Sequence, residues 1–370
     1  MKVLMITPTY YPVTGGTESL VENITMKLND HGIAADIMSL NYNSSLQTVL
    51  AEKNEIINGQ RVFKIAAWRL PIPLLFISHF PTNFRSKMKQ YDIIHFHNDA
   101  DMSFPLFSFG LSMPKILHCH CLDTSYHDYK AHTPVARQIL LRSADIYVTL
   151  SKSLSDMLYD LGVPREKIRI VPNGIDVSKF GGNTVEKIPN LLLFVGRLDP
   201  KKGIPILLQS LKYLKRPVEL VIIGPPSSNQ EYSKNVLNLI DDFRKKSLHK
   251  ISYLGRVGPD DLVKWYQKAS IFVQPSLSES FPMVNMEALA SGTPVVASNV
   301  GAVSEIVRNH ENGVLVPPGD PTRLAEAIQF LLDNEETRSK FGKHGVKWIS
   351  ENFSSEVTTR LIIQIYKSLS

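Results

Sequence analysis

Cysteine is nearly absent from this chain, which has only Cys119 and Cys121 among its 370 residues. Two cysteines separated by a single residue exclude a disulfide-stabilised secreted domain and favour a reducing compartment. Long apolar runs are absent too, because no stretch reaches the roughly 18 apolar residues that a membrane span needs. The apolar run after Met1 is too short for a signal peptide. These absences predict a cytoplasmic protein.

The chain also lacks a strong excess of charge. Lys and Arg total 41 and Asp and Glu total 35, so the net charge is +6. A nucleic-acid-binding protein carries a more clustered positive charge, and we therefore expect no nucleic-acid partner. Hydrophobic residues make up 43% of the chain and charged residues 21%, which is typical of a globular protein. The length suits two domains of ordinary size.

Short apolar runs alternate with helical patterns along the chain, which predicts an α/β fold with parallel sheets covered on both faces. The predicted strands are Lys2–Thr7, Ile93–His97, 116–120, 145–149 and 168–171, then Leu191–Val195, Glu219–Ile223, 251–254, Ile271–Gln274, 294–297 and Gly313–Val316. The turn signal Pro172-Asn173-Gly174 separates the two series.

The restart of the pattern predicts two Rossmann-like, doubly wound domains. We place the N-terminal domain at 1–175, a linker at 176–189, the C-terminal domain at 190–353, and a helix at 354–370 that returns to the first domain. In open α/β sheets, ligands bind beyond the carboxyl ends of the strands. We therefore expect two facing domains with an interdomain cleft, where one domain holds a donor and the other an acceptor.

Two loops that follow predicted strands have the composition of anion sites. The first ends in Gly15-Gly16 at the start of a helix, where backbone N–H groups favour an anion. A turn that only needs positive φ is an alternative for these glycines. The second loop supplies Arg197 and Lys202 beside Gly203, and these cations are able to neutralise a diphosphate without a metal. The alternative is a solvated basic loop.

The segment from Glu279 to Glu287 has two carboxylates in different positions. Glu279 lies in the loop before a helix that begins near Pro282 or Met283, and Glu287 lies more than one turn inside that helix. The backbone N–H groups of Met283 and Val284 predict an anion site. Glu279 then suits sugar hydroxyls and Glu287 ribose hydroxyls. Alternatively, Glu287 is an exposed helix residue and Glu279 a capping acid.

In this order the motifs resemble the retaining nucleotide-sugar glycosyltransferases of family four, which have the GT-B fold of two facing Rossmann-like domains. The matching segments are Gly15-Gly16 with Glu18, Asp92-Ile93-Ile94-His95, Pro172-Asn173-Gly174-Ile175-Asp176, Gly196-Arg197 with Lys202-Gly203, and Glu279 with Glu287. The resemblance implies that Arg197 and Lys202 bind the donor diphosphate. It also implies that Glu287 binds the ribose and that Glu279 contacts the transferred sugar.

The same resemblance implies the remaining site residues. On the donor side they are Gly16, Phe281, Pro282, Met283 and Val284, and on the acceptor side they are Gly15, Gly16, Glu18 and His95. The family's histidine near C6 of the sugar corresponds to His120, with His118 as the alternative. His120, Glu279, Arg197 and Lys202 then form the reacting centre.

The implied reaction is transfer of a sugar to a glycan, lipid or small molecule with retention of configuration and without a cofactor. A catalytically inactive sugar-nucleotide binding module, an epimerase and a phosphorylase of the same shape are the alternatives.

His118-Cys119-His120-Cys121 imitates a zinc tetrad. Successive residues of a strand point to opposite faces, however, so these four side chains cannot converge. Nearby histidines, namely His95, His97, His127 and His132, are able to complete a site, but nothing in the sequence fixes that. Asp99-Ala100-Asp101 resembles a metal clamp that Arg197 and Lys202 make unnecessary. We therefore predict no metal.

Residues 58–91 contain six Lys or Arg and no acid. Their aromatic residues include Trp68, Phe76, Phe80 and Phe84. Interleaved cations and aromatic rings are typical of contact with an anionic membrane, here the inner membrane face. An ordinary strand and helix with core aromatics is the alternative.

Overall fold

The structure is a computed structural model that describes residues 1–12, 16–41, 49, 51–66, 84–97, 110–120, 144–181 and 185–369. The chain divides into two compact units, Met1–Gly174 with Ser355–Ser370, and Ile175–Ser354. Both divisions lie one residue from the domain boundaries expected from the sequence. Of the helices in the described ranges, none is both long and apolar enough to cross a membrane.

The first unit contains an eight-stranded sheet in the order β3-β4-β2-β1-β5-β6-β7-β8. Its strands are β1 Lys2–Thr7, β2 Ala34–Leu40, β3 Lys53–Ile57, β4 Gln60–Ile65, β5 Ile93–His97, β6 Lys115–Cys119, β7 Ile146–Thr149 and β8 Ile168–Ile170. In the described part of residues 1–174 its helices are α1 Gly16–Asp30, α2 Phe84–Met88 and α3 Lys152–Asp160. Apart from the β3–β4 hairpin, neighbouring strands are parallel.

The second unit contains a six-stranded parallel sheet in the order β11-β10-β9-β12-β13-β14. Its strands are β9 Leu191–Val195, β10 Glu219–Ile223, β11 Lys250–Tyr253, β12 Ile271–Gln274, β13 Val295–Ser298 and β14 Gly313–Val316. Its helices are α4 Ile204–Leu211, α5 Gln230–Lys246, α6 Pro259–Lys268, α7 Met283–Ala290, α8 Val303–Ile306, α9 Pro321–Asp333 and α10 Glu335–Asn352.

The strand order of the second unit is that of a doubly wound dinucleotide-binding sheet. The chain moves outward from β9 through β10 to β11, then returns to the other side of β9 and continues from β12 to β14. The topological switch point therefore lies between β9 and β12. Ligands of such sheets bind beyond the carboxyl ends of these two strands, and the loops with Arg197 and Glu279 begin there.

The C-terminal helix α11, Ser355–Leu369, returns to the first unit. Its buried residues Ile362, Ile365 and Tyr366 belong to the same hydrophobic cluster as Val3 and Ile24. The Thr358 hydroxyl also donates a 2.9 Å hydrogen bond to the Pro172 carbonyl. The last helix thus completes the core of the domain in which the chain began.

The segment expected as a linker, 176–189, packs within the second unit over its described residues. The side chain of Gln267 in α6 donates a 3.0 Å hydrogen bond to the Phe180 carbonyl. The Ile188 N–H donates a 2.8 Å bond to the Lys268 carbonyl. Residues 182–184 lie outside the described residues. The polar, glycine-containing composition therefore marks a surface segment rather than a free connection.

Candidate active site

The loop after β9 is held against the loop after β12 by a glycine. Gly203 follows the 3₁₀ turn Pro200–Lys202 and has a φ of 70°. A Cβ at this position would lie 2.0 Å from the Pro275 carbonyl oxygen. Glycine alone tolerates both the left-handed backbone and that approach. The Leu277 N–H also donates a 2.7 Å bond to the Lys201 carbonyl, which joins the two loops a second time.

These joined loops bring Lys202 to Glu279, the pair at the centre of the candidate site. Lys202 Nζ lies 2.6 Å from Glu279 Oε1. The Gln274 amide donates to the same oxygen at 3.0 Å and the Ser276 hydroxyl at 2.7 Å. Glu279 Oε2 has no hydrogen-bond partner among the described residues. The carboxylate, whose side chain is 8% exposed, is therefore fixed through one oxygen while the other is available to a ligand.

Arg197 is oriented by a second carboxylate. Its Nε donates a 2.5 Å bond to Asp199 Oδ2, and the Ser227 hydroxyl donates to Asp199 Oδ1. Burial acts to raise the pKa of Asp199, but the hydrogen bonds from Ser227 and Arg197 outweigh it and lower that pKa. Asp199 is therefore charged at neutral pH. The Arg197 side chain is 54% exposed and is held through Nε, so its two terminal nitrogens can approach an anion.

Glu287 lies in α7, which begins at Met283, and no side chain caps that helix at Pro282. The Tyr266 hydroxyl donates a 2.7 Å bond to Glu287 Oε2. Burial raises the pKa of the Glu287 carboxyl, and the bond from Tyr266 opposes that rise. Glu287 also lines a cavity of about 550 Å³ with Phe180 and Lys264. Glu287 is thus not an exposed helix residue, and Glu279 does not cap α7, so both alternatives left open by the sequence are wrong.

Several residues of this site were not singled out from the sequence. Gln274, Ser276 and Tyr266 hold the two glutamates. Gly301, after β13, has a φ of 52°, and a Cβ there would lie 1.7 Å from the Glu279 carbonyl oxygen. The position of Gly301 shortly after β13 was the signal that the sequence offered for it. The contacts of Gln274, Ser276 and Tyr266 depend on the order of the strands, so the sequence held no signal for them.

Among the acceptor-side candidates, Gly16 and Glu18 lie at the start of α1. No heavy atom of the described residues lies within 4 Å of a Cβ built on Gly16, and its φ is not in the left-handed region. The turn explanation therefore does not apply to Gly16, and the space beside it is open. Glu18 accepts a hydrogen bond from the Thr9 hydroxyl. Gly15 lies outside the described residues.

His95 and His120 are buried on adjacent strands. His95 is fully buried and its Nδ1 lies 2.7 Å from the hydroxyl of Tyr366 in α11. The ring therefore contacts the packed core, and its assignment to the acceptor side stays a prediction. His120 is 7% exposed, and its Nε2 lies 3.1 Å from Nδ1 of His97. Burial lowers the pKa of His120 to about 3, so the ring is neutral.

Other sequence hypotheses fall partly or wholly outside the described residues, namely those on Asp99, Asp101, Cys121, His127 and His132. Residues 67–83, half of the segment 58–91, do so as well. In its described part, Lys64 forms a 3.1 Å ion pair with Glu55, and Lys87 forms one of the same length with Glu52. These two lysines are neutralised by acids outside the segment, which reduces the charge available to a membrane.

The sequence matches two family descriptions in succession. Residues 14–179 match Glycosyltransferase Family 4, and residues 179–348 match Glycosyl transferases group 1. An uncharacterized glycosyltransferase of Methanocaldococcus jannaschii is 30% identical over 100% of this chain and 99% of its own. A D-inositol 3-phosphate glycosyltransferase of Corynebacterium efficiens is 30% identical over 75% of this chain and 71% of its own.

Solved structures of glycosyltransferases share this fold. The solved structure of Anabaena Alr3699/HepE in complex with UDP and glucose matches with a TM-score of 0.79 over 100% of both chains, at 20% identity. At that identity the likeness concerns the fold, and it covers both α/β units. The family matches, the full-length relative and the two parallel-sheet domains agree: the chain belongs to the group 1 glycosyltransferases and has the GT-B fold.

Proposed function

We propose that the chain transfers a sugar from a nucleotide diphosphate sugar to a glycan, lipid or small-molecule acceptor with retention of anomeric configuration, in glycan or glycolipid biosynthesis. The observation that carries the proposal is the Lys202–Glu279 pair at the switch point between β9 and β12. A cation and a carboxylate oxygen are fixed there side by side. A donor offers the complementary groups, a diphosphate and sugar hydroxyls.

The diphosphate is proposed to bind Arg197, Lys202 and the first N–H groups of α7, at Met283 and Val284, beside Phe281 and Pro282. Charge develops on the leaving diphosphate as the glycosidic bond breaks, and fixed cations and helix N–H groups stabilise that charge. Both cations are already paired with carboxylates, so they are oriented before the ligand arrives. Each still has N–H groups to donate to phosphate.

The two glutamates divide the remaining contacts. Glu279 Oε2 accepts sugar hydroxyls, while Glu287, beside the cavity of about 550 Å³, accepts ribose hydroxyls. Retention is proposed to proceed by attack on the face from which the diphosphate leaves, and the leaving phosphate assists deprotonation of the acceptor. Neutral His120 orients the transferred sugar by hydrogen bonding, since its low pKa does not suit an acid or base at neutral pH.

The first test is a screen of purified protein with nucleotide diphosphate sugars, beginning with UDP-glucose because the Anabaena protein was solved with UDP and glucose. We expect slow hydrolysis that releases a nucleoside diphosphate and an α-configured sugar from an α-linked donor. Release of a sugar phosphate would instead identify a phosphorylase, and binding without turnover would identify an inactive binding module.

The matched variants are Glu279→Gln and Glu326→Gln. Glu326 is 57% exposed in α9, paired only with Arg323 among the described residues, and serves as the control for loss of a carboxylate. Turnover should fall in the first variant and stay unchanged in the second. Equal turnover in both would contradict the role of the β12 loop.

A further inference from the structure

Four buried histidines form one layer in the first unit. His95 and His97 lie two residues apart on β5, and His118 and His120 lie two residues apart on β6. His97 and His118 are paired in the register of these parallel strands. Neighbouring ring centroids are 4.3 Å apart within each pair and 5.0 Å apart between His97 and His118. Four imidazoles from two strands therefore share a single face of the sheet.

The hydrogen bonds of this layer favour one tautomer for each of two rings, His95 and His97. The Tyr366 hydroxyl lies 3.6 Å from Met5 Sδ and 2.7 Å from Nδ1 of His95, and if His95 donates the second bond, its Nε2 carries a lone pair. His97 Nδ1 lies 3.1 Å from His120 Nε2. If His97 donates this bond, its Nε2 carries a lone pair. If His120 donated instead, the proton of His97 would lie on Nε2, where it would be buried without an acceptor, and proteins avoid that. The favoured tautomers thus leave a lone pair on Nε2 of both His95 and His97.

These two nitrogens and both nitrogens of His118 are buried and have no hydrogen-bond partner among the described residues. One ligand atom from each of the three rings lies within 4.8 Å of the others. Histidines that bind a metal typically donate their second ring N–H to a neighbouring acceptor, which fixes the ring and its tautomer. Tyr366 is the corresponding acceptor for His95, and His120 is the corresponding acceptor for His97.

We propose that His95, His97 and His118 bind a divalent transition-metal ion of the zinc class. Neutral imidazole nitrogen is a preferred ligand of Zn²⁺, at about 2.0–2.1 Å. Burial keeps all three rings neutral, since it lowers the pKa of each. Bonds of that length in tetrahedral geometry require nitrogens about 3.3 Å apart. The ligand atoms now lie within 4.8 Å of one another, and the rings of His95 and His118 are stacked with 8° between their planes, so binding requires these two rings to turn until their lone pairs converge.

This site differs from the cysteine-containing tetrad that the sequence imitates. Cys119 lies between His118 and His120 on the strand and points to the opposite face. The ligands come instead from β5 and β6 together, and Tyr366 adds the C-terminal helix α11 to the arrangement. The ion would tie two central strands and α11 together. His120, which contacts His97, is also proposed to orient the transferred sugar, but none of the three ligands is proposed to bind the donor, so the metal proposal does not depend on the proposed transferase activity.

The test uses tag-free, full-length protein expressed in medium supplemented with Zn²⁺, and separately with Co²⁺, because a buried site is filled during folding. Elemental analysis should find about one ion per chain after dialysis against chelator, and the cobalt protein should show the visible absorption of a nitrogen-ligated site. His118→Asn should retain roughly a tenth of the metal or less. The control His344→Asn removes a partly exposed histidine of α10 outside the layer, and this variant should keep all of the metal.

Two results would overturn the proposal. One is wild-type protein without bound metal after growth in either supplement. The other is undiminished metal in folded His118→Asn, which would place the ion elsewhere. If that variant does not fold, X-ray absorption at the zinc edge of the wild-type protein decides: imidazole scattering without sulfur supports the site, and a sulfur ligand contradicts it.

Discussion

Replacing Gly203 by alanine tests whether the contact between the β9 and β12 loops holds the candidate site together. The substitution has two separable costs. A φ of 70° is left-handed, which costs a non-glycine residue about 1–2 kcal/mol. The new Cβ would also lie 2.0 Å from the Pro275 carbonyl oxygen, and relieving that overlap costs about 1–3 kcal/mol more. We expect a total loss of about 2–5 kcal/mol in the free energy of unfolding.

Gly255→Ala provides the matched control in the same unit. Gly255 has a φ of 66°, nearly that of Gly203, but no described heavy atom lies within 4 Å of its Cβ position. It should therefore lose only the conformational part, about 1–2 kcal/mol. The difference between the two variants measures the loop contact alone. Urea denaturation is a suitable assay, because Trp265 and Trp348 both report on the second unit.

The two variants should also differ in nucleotide binding. Separating the loops by more than about 1 Å moves Lys202 away from Glu279, so Gly203→Ala should bind nucleoside diphosphate more weakly than Gly255→Ala in calorimetry. Equal losses of stability in the two variants, at equal denaturant slope, would refute the idea that the Pro275 contact constrains the site.

The remaining predictions concern other groups. Glu287→Ala should raise KM more than it lowers kcat, by a factor of roughly 10–150, which corresponds to one charge-assisted hydrogen bond of about 1.5–3 kcal/mol. Glu279→Gln should mainly lower kcat, and its binding of nucleoside diphosphate should be retained. Steady-state kinetics and calorimetry separate these two outcomes. Burial lowers the pKa of Lys187 to about 7. Between about pH 7 and 10.5 the unfolded chain therefore binds more protons at Lys187 than the folded chain does. The free energy of unfolding should rise across that window, by about 1–2 kcal/mol from pH 7 to 9. Urea denaturation midpoints of the Lys187→Met variant should not show this rise. Transfer should continue when chelator removes accessible divalent ions, and full loss restored by added Mg²⁺ would contradict diphosphate binding by Arg197. Salt-sensitive sedimentation with anionic liposomes should detect any membrane contact through 58–91, and its absence at low salt would exclude that hypothesis.

Much of the fold was predictable because it depends on local patterns. The alternation of apolar runs and helical patterns placed eleven of the fourteen strands in the described residues within one or two residues, including β9 and β12 of the candidate site. The sequence analysis did not predict β2, β3 or β4. In β3, Lys53–Ile57, the chain is polar and no residue is fully buried, so the apolar signal is weak. Polarity likewise led to a linker at 176–189, although polar segments also pack on surfaces.

The sequence by itself also determined which residues meet at the carboxyl edge of the second sheet. Parallel strands end at the same edge, so the loops after β9 and β12 had to lie on one side, with Arg197, Lys202 and Glu279 among them. The sequence did not predict which of these groups pair with each other. Lys202 and Glu279 are 77 residues apart, and they meet because β9 and β12 are neighbours in the sheet.

Only the tertiary structure brought the histidines together. The alternation within His118-Cys119-His120-Cys121 correctly excluded a tetrad from that run alone, because it depends on the period of a single strand. Joining His95 and His97 to His118 requires the adjacency and register of β5 and β6, and joining Tyr366 requires the return of α11 across 271 residues of chain from His95. Side-chain periodicity is a local property of the backbone, whereas strand order and register arise from packing of the whole domain.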